Sequence, residues 1–443
     1  MKRSSFLRSL NGAFTIASTT AFLLGVSGCQ QTYLNPSAAV QPQVTGSADG
    51  LITVCNALQY RYSTGGAASV IYTAMAAGGL TTNELLVKNA GNSEELALSQ
   101  GQANINNTNG VLRTLWTQCN LVKANANLVL SNLGVVGDAG TKSGIQAYAA
   151  IFRALSLGTL AQFYQSVPVQ VGDNAPFVDR VQVFREAVSG LEAAAAQVTS
   201  APVSANFSSK IVAGIDIPNT LQALIARYSL LAGDYDKAIA AAAKVDLTKR
   251  SVFNFDDTNR NPVFFTAFGN VNVIEPTNSV LGLSGALAPA AGDKRLAVYI
   301  RQTPVSTLNL GTGFYTANGT AVPVYLPGEM LLIQAEAYAR KNDLGNAVAQ
   351  LNKVLTKTAA QDAFNVGAGL PAYSGAQTAD AVLLEILRNR NVELAYQGFR
   401  LEDNRRFGRP GPGATGSERN RNFMPYPRVE RDNNTSTPAD PAN

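Results

Sequence analysis

Along residues 111–133 the apolar positions Leu112, Leu115, Trp116, Cys119, Val122, Ala126, Val129 and Leu130 recur at spacings of three and four. That period marks one buried stripe on a helix. Residues 145–164 and 181–198 continue it, and Pro168 and Pro176 fall in the break between them. Neither stretch shows the strict alternation of an antiparallel strand. Further on, residues 221–245 and 330–355 look like two copies of one unit. Aligned on Asp234 and Asp343, each reads as a helix, a short turn and a second helix opening at Ala238 or Ala347. Small residues at the crossings (Ala226 and Ala238; Ala335 and Ala347) let two antiparallel helices approach closely.

This unit resembles a tetratricopeptide helix pair, whose apolar faces are buried by stacking on neighbours. Two clear copies fall short of the roughly three such a stack needs, and residues 111–164 are the candidates for degenerate ones. Between the copies the texture changes. Residues 251–328 are rich in Asn, Thr, Gly, Pro and aromatics, as in FFTAFGN, and 302–328 carry no charge. Ordered loops of that length inside a compact domain are usually functional. From Arg409 onward the chain reads as irregular and wrapped on the body. The predicted fold is mainly α, with long irregular loops and little β.

The 443 residues are 46 % apolar and 15 % charged, against a typical charged share of about 25 %. Length alone would suggest two or three domains, at ~150 residues each. Residues 1–28 read as a signal peptide: Lys2, Arg3 and Arg8, a short apolar run over 13–26, then Ser27-Gly28 before Cys29. The run is too short and too rich in Ser and Thr for a spanning helix, which needs ~20 predominantly apolar residues. Val26-Ser27-Gly28-Cys29 resembles a bacterial lipobox, in which the cysteine is lipidated and becomes the first mature residue. Residues 29–48 then read as a lipidated tether. Cys55 and Cys119 remain as an even pair in an exported chain. Sequence leaves open whether they form a disulfide or stay as separate buried thiols.

Removing Lys2, Arg3 and Arg8 takes the net charge from +5 to +2. That is too little to suggest a nucleic-acid partner, and the ten arginines between 388 and 431 are interleaved with five carboxylates. The chain contains no histidine, which removes Ser-His-Asp and Cys-His pairs, histidine bases and His-containing zinc sites. Glu84, Glu94 and Glu95 invite a glycosidase reading, but adjacent helical glutamates diverge and are usually solvated. Asp256-Asp257 with Asn254 lacks the ligand spacing of an EF-hand and reads as a turn. Ala77-Gly78-Gly79 lacks the lysine of a phosphate loop. No catalytic residue, metal site or cofactor is predicted.

The most specific segment is 388–408, RNRNVELAYQGFRLEDNRRFG. It resembles the C-terminal signature of the SusD/RagB family through Arg390, Glu393, Leu394, Gly398, Arg400, Asp403, Arg405, Arg406 and Gly408. It departs from that pattern at Asn389, Gln397 and Phe407. Other pieces follow in the family's order: Cys29 with Tyr33-Leu34-Asn35-Pro36; Leu115-Trp116 with Ala124-Asn125; Arg153-Ala154 leading to Val167-Pro168; Gly292-Asp293-Lys294-Arg295; Glu329 with Ala335-Glu336-Ala337; and Met424-Pro425-Tyr426-Pro427 with Glu430 and Asn433. Read from the residues alone, the signature is structural. Arg390 and Glu393 lie one helical turn apart and can pair, Gly398 permits a cap or tight turn, and Asp403, Arg405 and Arg406 can bond to neighbouring helices.

The resemblance implies a single SusD-like helical domain over 49–443, held by lipid at the outer membrane and facing the cell surface. It implies a non-enzymatic protein that captures an oligosaccharide or similar nutrient for a SusC-like TonB-dependent transporter. The alternative is a helical-repeat scaffold lipoprotein in an envelope complex, with no small-molecule ligand. Sugar-type ligands need aromatic faces and amides or arginines. The predicted ligand-binding residues are therefore Tyr60, Arg61, Tyr62 and Tyr72 in one segment, and Asn309, Phe314, Tyr315 and Asn318 in another. Trp116, on its apolar stripe, is predicted to be core.

Overall fold

The computed structural model describes residues 44–269, 273–301 and 311–442. Cys29, Asn309 and everything before Val44 lie outside the described residues. The helical run begins with α1 (Ala48–Ser63), α2 (Val70–Leu80), α3 (Ser93–Gln100), α4 (Gly110–Ser131), α5 (Ala139–Phe163), α6 (Arg180–Ser200) and the short α7 (Ala205–Ser208). The starts are set by short polar side chains that accept a first-turn N–H: Ser47 for α1, Asn109 for α4, Asp138 for α5 and Asp179 for α6. The predicted stripe on α4 is buried from Leu112 to Val129, Trp116 included. Its indole packs edge-on to Tyr164 and Tyr426 and flat on Phe177, and its Nε1 donates to Glu430 Oε2 at 3.0 Å.

The two repeated units are helix pairs. They are α8 (Ile217–Ala232) with α9 (Tyr235–Ala242), and, after a short α10 (Arg295–Tyr299), α11 (Pro327–Arg340) with α12 (Leu344–Leu355). Both turns pass through the left-handed region one residue before the aligned aspartate, at Gly233 (φ 81°) and at Asn342 (φ 62°). Glycine and asparagine are the residues that adopt it at least cost. Helices α4, α5, α6, α8, α9, α11 and α12 each pack on the next, so the early helices extend the stack. Helix α13 (Ala379–Glu393) closes it against α11, followed by α14 (Arg400–Arg406) and α15 (Arg428–Asn433). One apolar core runs through this body, with a smaller cluster between α11, α12 and α13.

Strands are few and short. The antiparallel pairs are β1 (Leu85–Val87) with β5 (Ile274–Pro276), β2 (Ser166–Pro168) with β3 (Phe177–Asp179), β4 (Val252–Phe253) with β8 (Val322–Pro323), and β6 (Ile300–Arg301) with β7 (Gly311–Thr312). They tie the loops to the helical body.

The signature residues are buried and paired, but not as their spacing suggests. Arg390 does not bond Glu393. It forms a two-pronged pair with Asp403, 13 residues on, at 2.9 and 3.0 Å. Glu393 instead receives Arg295 Nη1 at 3.0 Å and Lys357 Nζ at 2.8 Å. The Arg390 fork thus meets both oxygens of a carboxylate on another helix, a two-pronged geometry. Arg400 Nη1 donates to Leu281 O at 2.6 Å, with Glu84 Oε1 3.7 Å from Nη2. Arg406 bonds Asp403 Oδ1 at 2.5 Å, and Arg405 bonds Glu402 and the carbonyls of Gln162 and Asn422. Gly398 sits at φ 77° beside α2, where an added Cβ would meet Ala74 O at 2.8 Å.

Cys55 and Cys119 are separate, buried, free thiols. Cys55 Sγ faces Ile145 O at 3.9 Å, and Cys119 faces inward on the α4 stripe. Burial pushes both thiols well up from their ordinary value.

Candidate functional site

Three of the predicted ligand aromatics are pillars of the core. Tyr62 lies on the inward face of α1 with Leu51, Ile52, Cys55 and Leu58. It packs between Phe152 and Phe253, and its hydroxyl shares a 3.1 Å bond with Thr159 Oγ1. Tyr72 is fully buried at the start of α2 and donates to Glu95 Oε1 at 2.9 Å. Tyr315 is buried and accepts from Gln397 Nε2 at 3.0 Å. Burial raises all three phenols far above their ordinary range. Phe314 is half-buried against Tyr299.

The remaining predicted residues stay at the surface. Tyr60 is 60 % exposed. Arg61 is exposed and reaches Gln118 Oε1 at 3.3 Å, and Asn318 donates to Asp257 Oδ1 at 3.2 Å. On α1 the inward positions run 51, 52, 55, 58, 59, 62 and 63, so the helical period itself turns residues 60 and 61 outward.

The two predicted segments meet through a third that sequence reasoning left without named residues. Residues 64–68 turn through Gly65 (φ 97°) and Gly66 (φ 60°) and rest on the wide helical turn Phe264–Phe268. A Cβ on Gly66 would lie 3.1 Å from Thr266 Oγ1 and 3.6 Å from the Phe265 ring. Phe265 is 44 % exposed, with the Arg260 guanidinium 4.7 Å above it. Asn261 ties this turn to the other segment: its N–H donates to Asn318 O and its amide to Thr320 O, both at 2.7 Å. Asp256 organises the approach by accepting from the N–H groups of Thr258 and Asn259, which hold its carboxyl below the usual range. The signal for Phe265 was present in FFTAFGN. It was unreadable as a site because a phenylalanine run does not show which ring faces out.

These segments carry exposed rings at Tyr60 and Phe265, cations at Arg61 and Arg260, and an amide at Asn318; contacts join Gly66 to Phe265 and Asn261 to Asn318, with Arg61 turned to Gln118. Such groups stack on flat apolar faces and bond hydroxyls. The glutamates weighed as a glycosidase pair are engaged elsewhere. Glu84 is buried and accepts from Tyr396 N at 2.9 Å, Glu94 caps Gly110 N at 2.6 Å, and Glu95 holds Tyr72. Among the described residues no group of three His, Cys, Asp or Glu could hold a metal ion.

The mainly helical stack is the fold of SusD superfamily proteins of known structure. Residues 249–441, which contain the Arg390–Gly408 signature, match the SusD family. The fold matches a SusD superfamily protein from Bacteroides fragilis at 19 % identity, over 88 % of this chain and 98 % of that one, with a TM-score of 0.66. A putative sugar binding protein from Bacteroides vulgatus matches at 14 % identity over 89 % and 98 %, TM-score 0.68. Surface glycan-binding protein A from Bacteroides uniformis matches at 16 % identity over 83 % and 93 %, TM-score 0.60. No curated protein matches the chain by sequence. The chain thus has a SusD-like fold, and its residues 249–441 match the SusD family.

Proposed function

We propose that this chain is a non-enzymatic, lipid-anchored outer-membrane protein that captures an oligosaccharide or similar nutrient at the Tyr60–Phe265 face. In this reading it passes the ligand to a SusC-like TonB-dependent transporter. The observation that carries the reading is the SusD family match over 249–441. Two neighbours of the same fold, described as a SusD-like carbohydrate binding protein and a surface glycan-binding protein, support the ligand class. Lipid attachment at Cys29 supplies the membrane link; no helix among the described residues is long and apolar enough to cross a membrane.

Co-purification from membranes in gentle detergent, followed by glycan and peptide binding screens, tests the reading. A large β-barrel should accompany the chain, and Tyr60→Ala with Phe265→Ala should weaken glycan binding several-fold, as loss of ring stacking implies. Recovery of free chain that binds no probe would return the scaffold alternative.

A further inference from the structure

Four arginines and one carboxylate line an open recess of about 550 Å³. Arg180 comes from the start of α6, Arg405 and Arg406 from α14 with Glu402, and Arg419 from the loop that follows. Tyr60, Phe265 and Arg260 take no part in its lining. Arg180 and Arg405 share one carboxylate oxygen, Glu402 Oε2. Arg406 pairs with Asp403 and Glu336, but Asp403 already holds Arg390 and Glu336 already holds Arg340. Arg419 bonds no carboxylate among the described residues. It donates to Asn422 Oδ1 at 2.9 Å and to the carbonyls of Asn404 and Arg409, and its acidic neighbour Glu418 is taken by a two-pronged pair with Arg409.

Seven guanidinium groups thus share four carboxylates around this recess. Like charges in a half-enclosed site repel more strongly than in water. Burial, with the repulsion of Arg180 and Arg419, lowers the Arg405 pKa to about 10 although Glu402 opposes it. The cations are nonetheless held in place. The Phe423 ring lies 4.3 Å from the Arg405 guanidinium and 5.7 Å from that of Arg180. Arg180 Nε donates to Ala161 O at 2.9 Å and Nη2 to Glu402, which leaves Nη1 without a partner among the described residues. That side chain is 16 % exposed, and Nη1 keeps contact with water. A guanidinium edge complements the oxygens of a carboxylate or phosphate, and a surplus of fixed cations favours an anion with more than one charge.

We propose that this recess binds a polyvalent oxyanion, one bearing phosphate or several carboxylates, through Arg180 and Arg419. The inference stands on these residues and is independent of the glycan reading. Calorimetry on the full chain in neutral detergent, at fixed ionic strength, would use inorganic phosphate and citrate as probes, with chloride as the monovalent control. At least one probe should bind more tightly than chloride, and which of the two does so tells which oxyanion group the recess selects. Arg419→Gln should weaken that binding about tenfold, the loss of a charge-assisted hydrogen bond. Gln165 lies exposed on the rim and its side chain belongs to no arginine pair. Gln165→Glu should therefore weaken binding several-fold and Gln165→Lys should strengthen it, both with the ion pairs intact. A Tyr60→Ala/Phe265→Ala double variant should bind the anion as the wild type does.

Failure of both probes to bind above chloride would overturn the proposal. So would equal affinity in the wild type, Arg419→Gln and Gln165→Glu. Binding that appears only once residues 441–443 are removed would show that the chain itself fills the recess, and would overturn it as well. A crystal soaked in the bound probe should show the anion at Arg180 Nη1; the anion elsewhere, with this recess empty, would sink the site.

Discussion

Arg227 and Glu329 meet through two parallel hydrogen bonds, Nε to Oε1 at 2.5 Å and Nη2 to Oε2 at 2.7 Å, with both side chains buried. The pair joins the first helix of one repeated unit to the first helix of the other, and the guanidinium also lies 4.8 Å over the Phe399 ring. Removing either partner leaves a buried charge alone, so Arg227→Ala or Glu329→Ala should cost ~3–5 kcal/mol. A joint Arg227→Met/Glu329→Leu change should stay close to wild type, because a well-packed apolar pair often replaces a buried ion pair without loss. Urea unfolding of the four proteins closes the cycle. Single variants costing no more than a surface substitution would show that the pair is hydrated.

Trp116→Ala should destabilise by ~3–5 kcal/mol, since it empties a cluster of four rings. Tyr60→Ala should stay within ~0.5 kcal/mol, as expected for an exposed side chain. Thermal melting of the two variants side by side separates framework from ligand face.

Lys123 is buried with its Nζ 2.5 Å from Pro168 O, and burial lowers its pKa from 10.5 to about 8. The unfolded chain therefore binds more protons than the folded chain between those values, so this group makes stability rise with pH across that window. Below pH 8 its cost is fully present, about 3 kcal/mol by linkage. The buried thiols act the other way at higher pH, because they ionise only in the unfolded chain. Comparison with Lys123→Met isolates the lysine: the variant's stability relative to wild type should fall as pH rises from about 8 to about 9. A pH-independent difference would place the ammonium in water.

Cys55 and Cys119, as buried free thiols, should be unreactive towards a thiol reagent in the folded chain and both titrate on unfolding. Reductant should leave the melting temperature unchanged. A fall with reductant would show a disulfide.

Cys29→Ser should release the protein from membranes, because the several acyl chains of a lipoprotein hold firmly where one would be marginal. Fractionation and intact mass of both proteins decide it. An unprocessed mass and unchanged fractionation in both would dismiss the lipobox.

The framework was largely legible in sequence because it rests on period: the stripe from Leu112 to Val129 is the buried face of α4, and the Asp234 and Asp343 alignment marks two turns of the same left-handed geometry. Pairing across the fold was not legible. Arg390 and Glu393 are neighbours by spacing, yet each finds a partner on another segment, which sequence separation cannot rank. The candidate site suffered from the same limit. Tyr62, Tyr72 and Tyr315 have the right chemistry for a sugar face, but inward and outward rings look alike in a loop-rich stretch.

Glu84 accepts from Tyr396 N and faces Arg400, across 312 residues of sequence to the tyrosine. A chain made from its amino terminus carries this carboxylate through most of its synthesis before either partner exists. Closing that part of the core is therefore an event of the nearly finished chain. Any fragment that stops short of Tyr396 would have to bury the charge unmet or leave the Glu84 region open to water.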